Sequence, residues 1–431
     1  MTLLQMFWLK NLNKKNINNK VYKKSIPFLI AFGFSKAIVF LTPLLLSNTL
    51  SSKDYGLIEY SLSLGVLIAT LISLGVPSSY PYFRLKRNYK TVYEGFSLHK
   101  LYLLGLCLLA ITLSFFLNST KYVTVFIISY IISNQVIYSI RFKSSEKILK
   151  ATLIDSGLYI ALLLGYIVLS FSDFSDLNIL IIVLLVYVMF FIIMTLREFY
   201  NVDKNLIIIK FLKLVKYGLP LVVSGFLMIF ISNSGRIVVD FFLDPEDVGI
   251  YSFYFRISSL VLIAYQVFNI VFFKKIYTLS SAKLDKIFIA FFLLIIISTT
   301  ISYFITPILG KGMFKMFSTL EENRGLHFLL SYQVVCWISL GIFENMIYRE
   351  NLTKKMNKGV IFILMGFLII LFLFRENLTI EKIVLFQYTS MFLAITYQLF
   401  ILYNSKKIKL LKTYSMVFST YFISMMVYFY I

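Results

Sequence analysis

Apolar runs of about 18–25 residues, each almost free of charge, recur roughly a dozen times along this chain, and each is long enough to cross a bilayer as a helix. Lipid gives an exposed backbone no hydrogen-bond partner, so spans of this kind must be helices that satisfy themselves. Composition agrees: the 431 residues are 59% hydrophobic and 14% charged, with a mean hydropathy of +0.84. The chain is therefore expected to be an all-α, polytopic membrane protein.

Six spans are expected in a first half: Ile26–Thr49, Tyr55–Val76, Leu101–Leu117, Tyr122–Ile140, Ala151–Ser170 and Leu177–Leu196. Six more follow: Leu219–Leu243, Gly249–Phe273, Ile287–Leu309, Phe328–Ile347, Val360–Phe374 and Ile383–Tyr403. The expected layout is a tail over residues 1–25, a first lobe over 26–200, an amphipathic linker over 201–216 and a second lobe over 217–403. A basic turn and a closing segment fill 404–431. In the linker, Lys204, Lys210, Lys213 and Lys216 share one helical face, as in a helix lying on a membrane surface. Thr413–Ile431 is expected as a thirteenth span, with a surface segment as the alternative.

A net charge of +22 invites a nucleic-acid reading. The distribution argues against it. Most Lys and Arg fall in alternate connections, such as Arg84–Lys90, Arg141–Lys150, Lys274–Lys286 and Arg349–Lys358, while the intervening turns carry Asp173, Asp176, Glu321, Glu322, Glu376 and Glu381. This is the positive-inside pattern, which predicts a cytoplasmic N-terminus. Leu3–Leu9 is too short for the core of a cleavable signal. Cys107 and Cys336 lie within spans and His99 and His327 are isolated, so no disulfide, metal or cofactor is expected. No long outer connection gathers ionisable groups and no nucleotide-binding loop is present, so enzymatic activity is not expected.

The chain repeats itself. Aligning Gly56 with Gly249 sets Leu50 on Leu243, Asp54 on Asp247 and Leu57 on Ile250, so a helix, a short polar turn and a second helix open both halves. Structural repeats that face each other across a shared interface are a transporter signature. Charged residues inside spans carry an insertion cost of about 2.5–3.5 kcal/mol and call for a reason. Lys36 and Arg256 are the candidate cations of a cavity between the lobes. Arg236 is a third, unless it pairs with Asp240 one turn on. Glu59, Asp155 and Glu344 are the candidate carboxylates for ion coupling. Each has a structural alternative: Glu59 could reach the interface, Lys147 or Lys150 could neutralise Asp155, and Arg349 could neutralise Glu344. Pro43 and Pro220 lie in the opening span of each half, where a bend would suit a gate.

The stretches FGFSKAIVFLTPLLLSNTLSSKDYGLIEYSLSLGVLIATLISLGVPSS and YGLPLVVSGFLMIFISNSGRIVVDFFLDPEDVGIYSFYFRISS resemble the span one–two and span seven–eight regions of O-antigen-type polysaccharide flippases. These belong to the multidrug/oligosaccharidyl-lipid/polysaccharide exporter superfamily. The resemblance implies two six-helix bundles forming a V around a central cavity that opens alternately to each side. Its cargo would be a polyprenyl-pyrophosphate-linked oligosaccharide, with a polysaccharide polymerase as a further partner. It also implies that Lys36 and Arg256 meet the pyrophosphate, as basic residues on spans one and eight do in related peptidoglycan-lipid flippases. Two departures are visible: Gly235 stands where many relatives carry Asp, and the second span holds no basic residue. The alternatives are a drug/cation antiporter of the same fold, which would need an acid-lined cavity, and a membrane polymerase or ligase, which would need a large outer loop.

Overall fold

The computed structural model describes residues 18–81, 83–84, 92–116, 119–145, 147–171, 177–202, 207–310 and 312–430. Most of the expected tail, the acidic turn at Asp173 and Asp176, and the basic positions Lys86, Arg87, Lys90 and Lys204 lie outside them. Among the described residues every regular element is helical, and twelve helical stretches are long and apolar enough to cross a membrane. In chain order the α-helices are α1 Asn18–Thr49, α2 Ser52–Ile72, α3 Val76–Pro81, α4 Val92–Phe116, α5 Thr120–Ser144, α6 Ile148–Phe171, α7 Leu177–Tyr200 and α8 Ile207–Asn233. They continue with α9 Gly235–Phe242, α10 Pro245–Ser258, α11 Leu262–Thr278, α12 Ser281–Gly310, α13 Arg324–Arg349, α14 Thr353–Leu373, α15 Ile380–Lys406 and α16 Leu411–Tyr428. The chain divides into two compact units, Met1–Phe226 and Leu227–Ile431.

The repeat read in the sequence is built by the same device in each unit. Ser51 caps α2, its hydroxyl accepting from the Asp54 amide at 3.1 Å and bonding the Asp54 carboxylate at 2.7 Å. Asp244 occupies the equivalent position ahead of α10 and accepts from the amides of Glu246 and Asp247 at 2.9 and 3.1 Å, with Pro245 as first helical residue. A capping side chain followed by acid in the first turn satisfies orphan N–H groups and complements the helix dipole. Both helices then bury the aligned glycines, Gly56 and Gly249.

In the first unit α5 is the most buried span, packed against α2, α4, α6 and α7. Its inward residues include Ser129, Ser133 and Asn134, each bonding the carbonyl four residues back. A serine hydroxyl satisfied by its own helix costs little in an apolar core. In the second unit α13 plays the same part, packed against α10, α11, α12, α15 and α16.

Three expectations change. The lysine-faced segment does not form a separate surface helix: from Ile207 it runs unbroken through Pro220 as α8, because its apolar residues continue the helix and Lys210 finds a carboxylate on α4. Span seven is therefore Ile207–Asn233, with α9 following after a break at Ser234, and the two units divide within α8. Span eight is not one helix either. A 3-10 turn at Ser259–Val261 separates α10 from α11. Finally, α16 is a helix on α12 and α13, but it is not among the twelve stretches apolar enough to span. Its start is fixed by the buried Asp285 carboxylate, which accepts from the Thr413 amide at 2.9 Å.

Candidate functional site

Lys36, Glu59 and Asp155 belong to the first unit; Arg236, Arg256 and Glu344 belong to the second. Lys36 sits in mid-α1, half-buried, with Nζ 5.5 Å from the centre of the Phe32 ring. The helix it faces is α6, where the Thr152 carbonyl accepts from Ser35 Oγ at 3.5 Å. The charges that act on Lys36 are Asp155, one turn further along α6, and Lys143. The structure therefore sets Lys36 and Asp155 on packed neighbouring helices, which their separation in the sequence hides. Asp155 itself is exposed and bonds Lys143 at 2.8 Å, so its neutralising partner is Lys143 rather than Lys147 or Lys150. Lys143 is favoured because it ends α5, the helix packed beside α6. Glu59 is fully buried in α2, about two turns past the cap.

In the second unit Arg236 is buried at the start of α9. Its Nε donates to Ser252 Oγ at 2.9 Å, and its guanidinium carbon lies 4.7 Å from the centre of the Phe255 ring. A hydroxyl and a ring face help hold this cation in place. Arg256 is half-buried in the last turn of α10, where the helix dipole favours a cation, three residues before the 3-10 turn. Glu344 takes a hydrogen bond from the Tyr348 hydroxyl. The expected neutralisation by Arg349 does not occur: that guanidinium donates to the carbonyls of Ile276 and Leu279 and pairs with Glu350 at 2.8 Å.

The structure adds a charge cluster that the sequence reading missed. Lys100, only 1% exposed, pairs with Glu198, and Arg141 meets the same carboxylate at 2.8 Å. Lys100 Nζ also lies 4.1 Å from the centre of the Tyr138 ring. Nearby, Lys210 pairs with Glu94. Both Lys100 and Glu198 fall just beyond the boundaries expected for spans three and six, so they read as interfacial. A lysine and a glutamate stopping apolar runs at the same end of the bundle was the available signal.

Comparison with known proteins follows from this arrangement. The profile of the polysaccharide biosynthesis protein family matches residues 21–273, which is more than half of the chain and includes Lys36, Arg236 and Arg256. The chain belongs to the polysaccharide biosynthesis protein family. It shares its fold with a solved structure, lipid II flippase MurJ in an inward closed conformation, with a TM-score of 0.62 at 15% identity over 94% of this chain and 92% of that one. No curated protein matches. The exporter-superfamily resemblance read from the two opening repeats is thus correct, and this family member is a multi-pass membrane protein.

Proposed function

We propose that this protein carries a polyprenyl-pyrophosphate-linked oligosaccharide, an O-antigen, capsule or exopolysaccharide repeat unit, from the cytoplasmic to the outer leaflet of the inner membrane by alternating access. The observation that carries this reading is the presence of cations within spans of both units: Lys36 half-buried in mid-α1, Arg236 buried at the start of α9 and Arg256 half-buried in the last turn of α10. Moving a diphosphate and its glycan through hydrocarbon unaided is prohibitively costly. Cations in a protein-lined path lower that cost while the polyprenyl chain stays in lipid. Membership of the polysaccharide biosynthesis family and the fold shared with a lipid II flippase support the same cargo class. The protein then acts without making or breaking a covalent bond of its cargo. The second reading, a drug/cation antiporter, is disfavoured by the cationic character of these positions.

Lys36, Arg256 and Arg236 are the proposed diphosphate contacts. Among the carboxylates, Glu344 is the preferred ion-coupling candidate, because Asp155 is tied to Lys143. The N-terminus is placed in the cytoplasm, and a polysaccharide polymerase would consume the product on the outer face. Deleting the gene should remove surface glycan and leave lipid-linked precursor inaccessible to an impermeant periodate probe in right-side-out vesicles. Precursor that the probe oxidises as readily as in wild-type vesicles would sink the proposal.

A further inference from the structure

α8 and α9 are two helices where an uninterrupted ladder would make one. Backbone bonds run from Ser234 to Phe230 and from Val238 to Ser234, and among the described residues none runs from Gly235 to Ile231. The Ile231 carbonyl is served from another helix: Gln387 of α15, 1% exposed, donates its side-chain amide to it at 3.3 Å. A carbonyl only accepts, so this bond fixes the sense of the amide and leaves its oxygen for a donor. That donor is the Tyr251 hydroxyl of α10, at 3.4 Å. Both side chains press on the break itself. A Cβ on Gly235 would lie 2.1 Å from Tyr251 Oη and 2.8 Å from Gln387 Oε1, so any side chain there would displace them.

The next residue is Arg236. Its guanidinium carbon lies 4.7 Å from the centre of the Phe255 ring, and that ring stacks on Tyr251 one turn back along α10, with centroids 5.8 Å apart and planes at 12°. Gln387 therefore touches both sides of a closed loop: the backbone just before Arg236, and the tyrosine stacked on the ring that Arg236 faces. Packing alone does not demand the bond to a broken helix. In the first unit Gln135 of α5 donates to the Tyr187 hydroxyl of α7 at 3.4 Å, again over a glycine, for a Cβ on Gly157 of α6 would lie 2.1 Å from Tyr187 Oη. All three helices run unbroken there. We propose that Gln387 is a positioning residue: it holds the break between α8 and α9 in the form that seats Arg236 on Ser252 and the Phe255 ring. That Arg236 so seated meets a diphosphate rests on the translocation reading; the hold on the break does not.

The test uses the full-length protein in nanodiscs of phosphatidylcholine, as wild type, Gln387→Met, Tyr251→Phe, Arg236→Gln and the Gln387→Met/Arg236→Gln double variant. Gln135→Met is the control for losing a tyrosine–glutamine pair where no helix is broken. Amide hydrogen exchange reports local opening. Over residues 231–240 it should quicken about fivefold in Gln387→Met, and less in Tyr251→Phe, which keeps the bond to Ile231. Gln135→Met should leave that segment as in wild type. Wild-type exchange there in Gln387→Met overturns the proposal; should that variant fail to fold, wild-type exchange in Tyr251→Phe does so. Binding of farnesyl diphosphate then tests the role. Gln387→Met should weaken it about fivefold alone and no further beside Arg236→Gln, because residues that act through one another are not additive. An equal loss in both backgrounds, or no loss where Arg236→Gln shows one, would remove Gln387 from the positioning of Arg236. If Arg236→Gln binds the probe as wild type does, the diphosphate assignment of Arg236 falls, and exchange over the break alone decides the hold of Gln387.

Discussion

In the first unit Lys100, Lys143 and Lys210 each sit on a carboxylate of a different helix, whereas in the second Arg236 is held by the Ser252 hydroxyl and the Phe255 ring, and Glu344 by the Tyr348 hydroxyl. The two units open on the same capped helix pattern, so this contrast is not imposed by their shared opening. In the Gly56/Gly249 alignment Ser252, which receives Arg236, falls on the buried Glu59, and Arg236 itself falls on Pro43. Lys36 falls on Ile229, and Arg256 on Ser63. The same frame therefore carries its charge at different places. Ion pairs in the first unit tie α4 to α7 and α8, and α5 to α6 and α7. In the second unit a hydroxyl and a ring face are among the groups that position Arg236, and a hydroxyl positions Glu344. Paired charge clamps helices together, and in the first unit it does so between four helices besides α4.

The largest expected effect is on the clamp. Lys100→Met should lower stability by about 3–5 kcal/mol, because it strands part of the Glu198 charge in a poorly hydrated place. A fall in the unfolding midpoint of purified protein in detergent would show it. A midpoint unchanged from wild type would erase the distinction between the units. Next comes the backbone crossing that seats α8 on the first unit. Gly75 has φ +67°, and a Cβ on Gly218 would lie 2.4 Å from the Gly75 carbonyl carbon. Gly218→Ala should therefore cost about 1–3 kcal/mol through overpacking that only backbone movement can relieve. Folded yield and melting temperature matching wild type would show that the crossing is loose. Arg236→Gln sharpens the comparison from the other side: it should cost only about 1–2 kcal/mol of stability, yet reduce transport severely. A variant that melts far below wild type would place Arg236 with the clamps instead.

How much of this was legible in the sequence follows from what hydropathy can sense. The twelve spans and the repeat with its polar turns were visible because apolar length and turn composition are local properties. The two broken spans were not. The break at Ser234 and the 3-10 turn after Ser258 lie inside apolar runs, where the short polar stretches Ser232–Gly235 and Ser258–Ser259 do not interrupt the hydropathy. Pairing across helices was harder still. Asp155 is nearer in sequence to Lys150 and Lys147, but it is met by Lys143 because α5 and α6 pack side by side. Glu344 lies close in sequence to Arg349, but carbonyls at the end of α11 and the neighbouring Glu350 claim that guanidinium. Lys100 and Glu198 escaped because apolar runs were trimmed one or two residues short of them.

The central claim is that the mid-span cations exist to carry a diphosphate headgroup. It is tested most directly by reconstituting wild type and Lys36→Ala/Arg256→Ala in proteoliposomes and following the leaflet exchange of a labelled polyprenyl-diphosphate sugar. The account predicts rapid exchange for wild type and loss of at least nine-tenths of the rate, on the order of a cost of 1.4 kcal/mol or more, in a double variant that inserts and melts normally. Equal exchange rates in the two proteins would contradict it.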